Sequence, residues 1–167
     1  LISALTHASS QASRQASNSA GKKAEVSDRD NERLEFLGDR VLGLSISAAL
    51  LKLYPQSDEG GLARRYNSLV RRKTCAEIAV DLSLGDYVIL SAGEERSGGR
   101  KKSTILANAM EALLGAVFLD GGYKAADKVI CKLWSDKLVS GQKVSLDAKT
   151  ALQEWAQGRG MAPPRYV

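Results

Sequence analysis

Glu32, Glu35 and Asp39 stand three and four residues apart. On a helix turning roughly 100° per residue, that spacing puts all three carboxylates within an arc of about 60°. Asn108 and Glu111 are also three apart and share a face in the same way. Ionised carboxylates gathered on one face repel one another and lose hydration unless a cation or protons compensate. Oxygen donors without His or Cys suit a hard cation, Mg²⁺ or Mn²⁺, and not zinc. Spacing alone leaves two other readings open. The first group also fits a solvated helix start, with Glu32 and Glu35 complementing the helix dipole. A ferritin-like di-metal bundle would want Glu-x-x-His pairs, but the chain has one His, and His7 is read as structural.

These residues need two helices to carry them. From Asn31 to Leu53 the sequence reads as one long helix, with apolar residues at Leu34, Leu37, Val41, Leu44, Ala48 and Leu51. A second stripe, Leu42, Ile46, Ala49 and Leu53, makes its later part apolar on nearly every side, which predicts burial in the middle of a domain. The Glu35 and Asp39 face continues as Leu42, Ile46 and Leu53, so the carboxylates sit at the mouth of an apolar face. The second helix is expected from about Ser103 to Leu119, with the Asn108 and Glu111 face continuing as Ala112, Gly115 and Leu119.

Around this pair the chain predicts further helices. Residues 2–9 read as a helix end, followed by a polar, Ser-rich stretch from Ser9 to Arg29 expected to be a mobile loop. Pro55 stops the long helix, and a loop from Gln56 to Gly61 leads into one helix over about 62–82 with a basic polar side. A Gly-rich segment spans Ser91 to Arg100. An Asp-Gly-Gly turn at 120–122 separates the Ser103 helix from another over about 124–138. Only a weak run from Tyr87 to Leu90 alternates like a strand, so this part is predicted to be all-α.

Composition sets only broad limits. Hydrophobic residues at 44% and charged residues at 26% are ordinary for a soluble domain, and aromatics at 5% leave the core to Leu, Ile, Val and Ala. A formal charge of +5 suits a polyanionic partner without singling one out. Cys75 and Cys131 belong to no CxxC or Cys/His cluster and are expected as reduced, buried thiols, in keeping with a cytoplasmic location. No uninterrupted apolar run approaches the roughly 18–20 residues needed to cross a bilayer, so no membrane partner is expected. The chain starts at Leu1 and is read as a fragment.

Five ordered blocks then carry a resemblance. Asn31-Glu-Arg-Leu-Glu-Phe-Leu-Gly-Asp39 is similar, residue for residue, to the signature of the bacterial ribonuclease III family. So are Ala4-Leu-Thr-His-Ala-Ser9, Glu59-Gly-Gly-Leu62, Gly93-Glu-Glu-Arg-Ser-Gly-Gly-Arg100 and Glu111-Ala-Leu-Leu-Gly-Ala-Val-Phe-Leu-Asp-Gly-Gly122, in the family's order over residues 2–138. The resemblance implies the helical endonuclease fold of that family over residues 1–139. It also implies a Mg²⁺-dependent endoribonuclease that cuts double-stranded RNA to 5′-phosphate and 3′-hydroxyl ends with short 3′ overhangs. Work in ribosomal RNA processing and RNA maturation or decay goes with it. Mn²⁺ would substitute for Mg²⁺, and no organic cofactor is implied.

Residue by residue, Glu35, Asn108 and Glu111 resemble family metal-binding positions, with Asp39 and Glu111 catalytic. Glu32 would lie just outside them, and Glu59 would shape the valley where RNA enters. Phe36 matches a dimer contact, implying a symmetric homodimer whose two sites cut the two strands. Asn108 departs from the family's usual Asp: it keeps a carbonyl oxygen but removes a negative charge, weakening cation affinity while easing repulsion among the carboxylates. Two basic groups, Arg64, Arg65, Arg71, Arg72 and Lys73, then Arg96, Arg100, Lys101 and Lys102, would neutralise phosphates collectively, although any one alone reads as a solvated helix face.

After a polar linker at 140–146, Leu146-Asp-Ala-Lys-Thr-Ala-Leu-Gln-Glu-Trp-Ala-Gln157 reads as a helix. It looks like the first helix of an α/β double-stranded-RNA-binding domain, truncated over 147–167. Thr150, Gln153 and Glu154 match positions that read the minor groove, where 2′-hydroxyls mark RNA. Two alternatives to an active nuclease remain: a duplex-RNA-binding member that cleaves weakly because of Asn108, and a structural, ribosome-associated relative. A purely structural role has no need of clustered acids.

Overall fold

A computed structural model describes residues 1–10, 31–140, 156, 159 and 160. The expected loop at 9–29 and the RNA-reading positions Thr150, Gln153 and Glu154 lie outside the described residues, apart from Ser9 and Ser10, and of the expected C-terminal helix only Ala156 falls within them.

The described helices are α1 (Ile2–Leu5), α2 (Glu32–Leu53), α3 (Glu59–Val70), α4 (Arg72–Asp81), α5 (Ala92–Arg96), α6 (Ser103–Leu133) and α7 (Ser135–Ser140), with 3₁₀ turns at Leu84–Asp86 and Gly99–Lys101. In place of a strand at 87–90 there is a single parallel bridge between Thr6 and Ile89, in which Ile89 donates to the Leu5 carbonyl and His7 to the Ile89 carbonyl. The helix expected over 2–9 is therefore interrupted at Thr6. His7 keeps to local bonds, its ring Nδ1 2.9 Å from Ser9 Oγ.

The core forms where α2 and α6 cross and α4 packs beside them. Leu42, Ile46 and Leu50 of α2 meet Ile105, Leu106, Met110 and Leu114 of α6, with Ile78 and Ala79 of α4. Among the described helices α6 is long and apolar enough overall to cross a membrane, although Asn108, Glu111 and Asp120 interrupt its apolar run. Its buried residues instead fill the protein's own interior. Gly122, at φ 71° and ψ −175°, kinks it where the Asp-Gly-Gly turn is expected, a backbone conformation essentially confined to glycine. The helix resumes to Leu133, breaks at Trp134, and continues as α7, so the segment expected over 124–138 is divided.

The helix expected over 62–82 is likewise two. It begins earlier, at Glu59, because Asp58 Oδ1 accepts the Gly61 amide at 2.8 Å and caps it. It then breaks at Arg71, which is extended at φ −63° and ψ 150°. The carbonyls left open at that break all find donors. Thr74 Oγ1 donates to the Ser68 carbonyl at 2.7 Å, Trp134 Nε1 to the Leu69 carbonyl at 3.0 Å, and Cys75 Sγ lies 3.7 Å from the Val70 carbonyl. Trp134 is fully buried and reaches this hinge from the far end of α6.

Burial along α2 corrects one expectation. Leu44 and Leu51, counted with the core stripe, are 58% and 62% exposed, and Leu53 at the end of the other stripe is also exposed. Phe36, Leu44 and Leu51 lie within about 80° of arc and form an uncovered apolar stripe on this chain. Leu119 is exposed too, and Cys131 is half-buried while Cys75 is buried.

Candidate active site

Two glycines set how closely α2 and α6 approach. A Cβ on Gly38 would lie 1.7 Å from the Glu111 carbonyl oxygen and 2.9 Å from the Gly115 nitrogen. One on Gly115 would lie 2.3 Å from the Leu34 carbonyl oxygen. The backbones touch with no room for a methyl group. Glu35 and Asp39 flank Gly38 along α2, while Asn108 and Glu111 precede Gly115 along α6, so the crossing brings both acidic faces to one place. There they line an open cleft of about 410 Å³, walled by Glu32, Glu35, Phe36, Asp39, Arg40, Asn108 and Glu111.

Within the cleft Glu35 and Glu111 face each other electrostatically. Burial, and then the charge of Glu35, push the Glu111 carboxyl above its ordinary range. Burial, and then Glu32, do the same to Glu35. Opposing them, the Arg72 guanidinium lowers both and Arg40 lowers Glu111, while the Cys75 thiol hydrogen-bonds the Glu111 carboxylate. Among the described residues no three His, Cys, Asp or Glu side chains enclose a cation by themselves. The donor set is two mutually repelling carboxylates and the amide of Asn108. That set fits a hard divalent cation which keeps part of its water shell, as Mg²⁺ does.

The raised pair has a consequence for stability. Both groups ordinarily titrate near 4.5 and do so higher in the folded chain. Between those values the unfolded chain releases protons that the folded chain retains. Stability is therefore full below about 4.5 and is lost as pH rises through the raised folded values. Without metal, the melting temperature of the wild-type chain should fall behind that of a Glu35→Gln/Glu111→Gln variant as pH rises from about 4 to about 8. Divalent cation should narrow the gap near neutrality. A gap independent of pH would show that the pair is not strained.

Of the residues singled out from sequence, the fold brings Glu32, Glu35, Phe36, Asp39, Asn108 and Glu111 together. Glu59, exposed in the first turn of α3, does not line the cleft. Asp39 is paired with Arg40, whose guanidinium lies 5.0 Å from the centroid of Phe36, itself 66% exposed. The basic groups divide. Arg100 ties a loop shut, with Nη1 donating to the carbonyls of Gly85 and Val88 at 2.9 Å each and Nε to Glu95. Lys102 pairs with Glu94, and Arg65 covers the Tyr54 ring at 4.4 Å. Arg72, Lys73 and Lys101 stay exposed. Sequence reasoning passed over Arg40 as a wall of the cleft and Cys75 as a neighbour of Glu111. The only sequence signal for Cys75 was its place one turn into a helix bound for the core.

Residues 1–138 match the family model described as ribonuclease-III-like. Over 167 residues the chain is 48% identical to ribonuclease 3 of Dinoroseobacter shibae, covering 100% of this chain and 67% of that protein. It is 50% identical over 141 residues to ribonuclease 3 of Cereibacter sphaeroides, covering 84% of this chain and 62% of the relative. It thus spans about two thirds of the length of these curated relatives. Among solved structures it resembles the nuclease domain of ribonuclease III from Campylobacter jejuni, with TM-score 0.69 and 38% identity, covering 81% of this chain and 85% of that one. That nuclease domain is described as structurally flexible in a region involved in dimer formation.

Proposed function

The chain belongs to the ribonuclease III family and has the helical fold of its nuclease domains, and from that premise we propose that its cleft cleaves double-stranded RNA with a divalent cation, Mg²⁺ by preference and Mn²⁺ as a substitute. The observation that carries this reading is the half-buried pair Glu35 and Glu111, held face to face across a glycine crossing in an open cleft. A carboxylate pair whose charges are opposed by burial and by each other is stabilised by bound cation, and a phosphodiester backbone brings negative charge to the same place.

Glu35, Glu111 and the carbonyl of Asn108 would hold the metal. When bound, it would make water nucleophilic and offset charge on the departing 3′ oxygen, leaving 5′-phosphate and 3′-hydroxyl ends. The chain's own part is to fix these oxygens on two helices that cannot slide. Asp39 acts beside them, its charge steadied by Arg40, and Glu32 adds negative charge behind Glu35. Exposed Arg72 and Lys73 offer phosphate contacts at the cleft's edge, and Glu59 would bound the RNA path further along α3. The uncovered stripe of Phe36, Leu44 and Leu51 supports a symmetric homodimer, which would set two clefts against the two strands of a duplex and leave short 3′ overhangs. Residues 140–146 and 147–167 would be a linker and the start of an RNA-binding domain using Thr150, Gln153 and Glu154. Processing of ribosomal and other structured RNAs in the cytoplasm fits such an enzyme.

The test is cleavage of an end-labelled duplex of about three helical turns in low salt, where phosphate contacts are strongest. Wild-type chain with Mg²⁺ should give staggered cuts, and single-stranded RNA should survive. Asn108 favours a second reading, duplex binding with weak cleavage. Asn108→Asp restores a charged ligand and should lower the Mg²⁺ concentration for half-maximal cleavage by about 10-fold. Cutting that appears only in that variant would establish the second reading. Absence of cutting and of duplex binding in both proteins would exclude both.

A further inference from the structure

Cys75 lies one turn into α4, fully buried, at the hinge made by Arg71. The break at Arg71 turns α4 against α6. It thereby carries the Cys75 thiol through the protein interior to the back of the cleft, where it hydrogen-bonds the carboxylate of Glu111. The thiol proton has two acceptors in reach, that carboxylate and the Val70 carbonyl, the latter at 3.7 Å. A hydrogen bond to an ionised acceptor is roughly twice as strong as one between neutral groups, so the carboxylate takes the proton when Glu111 is charged. Burial and the neighbouring Glu111 charge keep the group a thiol, its pKa pushed up to about 12. It is therefore always a donor.

We propose that Cys75 is a positioning residue for Glu111, fixing the carboxylate from behind so that its other oxygen faces Glu35 and the cleft. The other polar groups acting on Glu111, Glu35, Arg72 and Arg40, do so through charge and not by a directed bond. Cys75 is thus the group that selects an orientation. Second partners of this kind commonly change metal affinity by roughly 10- to 100-fold, and a weak S–H donor belongs at the lower end. The effect on metal rests on the cation reading above; the bond itself does not.

The experiment has two arms, both in a Cys131→Ser background that leaves one thiol. In the metal-free arm, the S–H stretching band is recorded by infrared spectroscopy with and without Glu111→Gln. A bond to the carboxylate predicts that the band moves to higher frequency when the acceptor loses its charge, and an unmoved band overturns the proposal. The metal arm measures Mn²⁺ binding by calorimetry without RNA. Cys75→Val, similar in size and without a donor, should bind about 10-fold more weakly, whereas Cys75→Ser should keep most of the affinity. Equal affinity in all three proteins overturns the positioning role. Failure of every protein, including the parent, to take up Mn²⁺ while the band still shifts would refute the cation reading and leave the bond established.

Discussion

Glu111→Gln is expected to abolish duplex cleavage while leaving the fold intact or slightly more stable. Glutamine keeps the size of the side chain and a carbonyl oxygen but removes the charge that holds a cation. Loss of one pre-organised electrostatic group commonly lowers turnover by about 10²–10³-fold, and removal of a shared ligand should reach at least that range. The stability half of the expectation follows from burial: Glu111 is charged at neutral pH against both desolvation and the repulsion of Glu35. The two readouts are single-turnover cleavage at saturating Mg²⁺ and the melting temperature in chelator. A variant that is both inactive and much less stable would mean that Glu111 serves the core and not the chemistry. A variant of undiminished activity would remove the proposed metal site.

The second large effect concerns packing. Gly38→Ala should destabilise the chain by about 3 kcal/mol or more, at the upper end of what overpacking costs, because the added methyl would meet backbone and not a side chain that can rotate away. The atom in its path is the Glu111 carbonyl oxygen, 1.7 Å from the ideal Cβ position. The helices must separate by more than an ångström, and the pair they carry separates with them. Chemical denaturation measures the first consequence and Mn²⁺ affinity the second. Conversely, Gly43→Ala meets only the hydroxyl end of Tyr66, at 2.7 Å, and should cost distinctly less. If the two alanine variants prove equally stable, the crossing is looser than its backbone contacts require.

Much of this site could be read from spacing, and the reason is geometric. Residues three and four apart on a helix must share a face, so Glu32, Glu35 and Asp39 had to lie together once α2 existed, as did Asn108 and Glu111. That the two faces meet did not follow from periodicity. It depends on Gly38 and Gly115, whose signal was available: glycine inside a helix costs about 1 kcal/mol relative to alanine and is usually explained by close packing or function. The break at Arg71 left no such mark, since the apolar pattern of α3 and α4 runs on through it and only tertiary hydrogen bonds from Thr74 and Trp134 reveal it. The exposed leucines of α2 show the converse. Leu44 and Leu51 satisfy the pattern of a core helix, but a hydrophobic pattern reports that a surface is covered, not that the same chain covers it.

The hinge between α3 and α4 also bears on how the chain is made. Its Ser68 carbonyl is answered by Thr74, six residues away, but its Leu69 carbonyl waits for Trp134, sixty-five residues later. During synthesis from the N-terminus, α3 and α4 therefore leave the ribosome with their joint unlatched, and about half the domain must follow before the indole arrives. Nascent chains arrested just before and just after residue 134 clears the exit tunnel should differ sharply in resistance to protease. A gradual rise in resistance with length would instead mean that the joint closes without its latch.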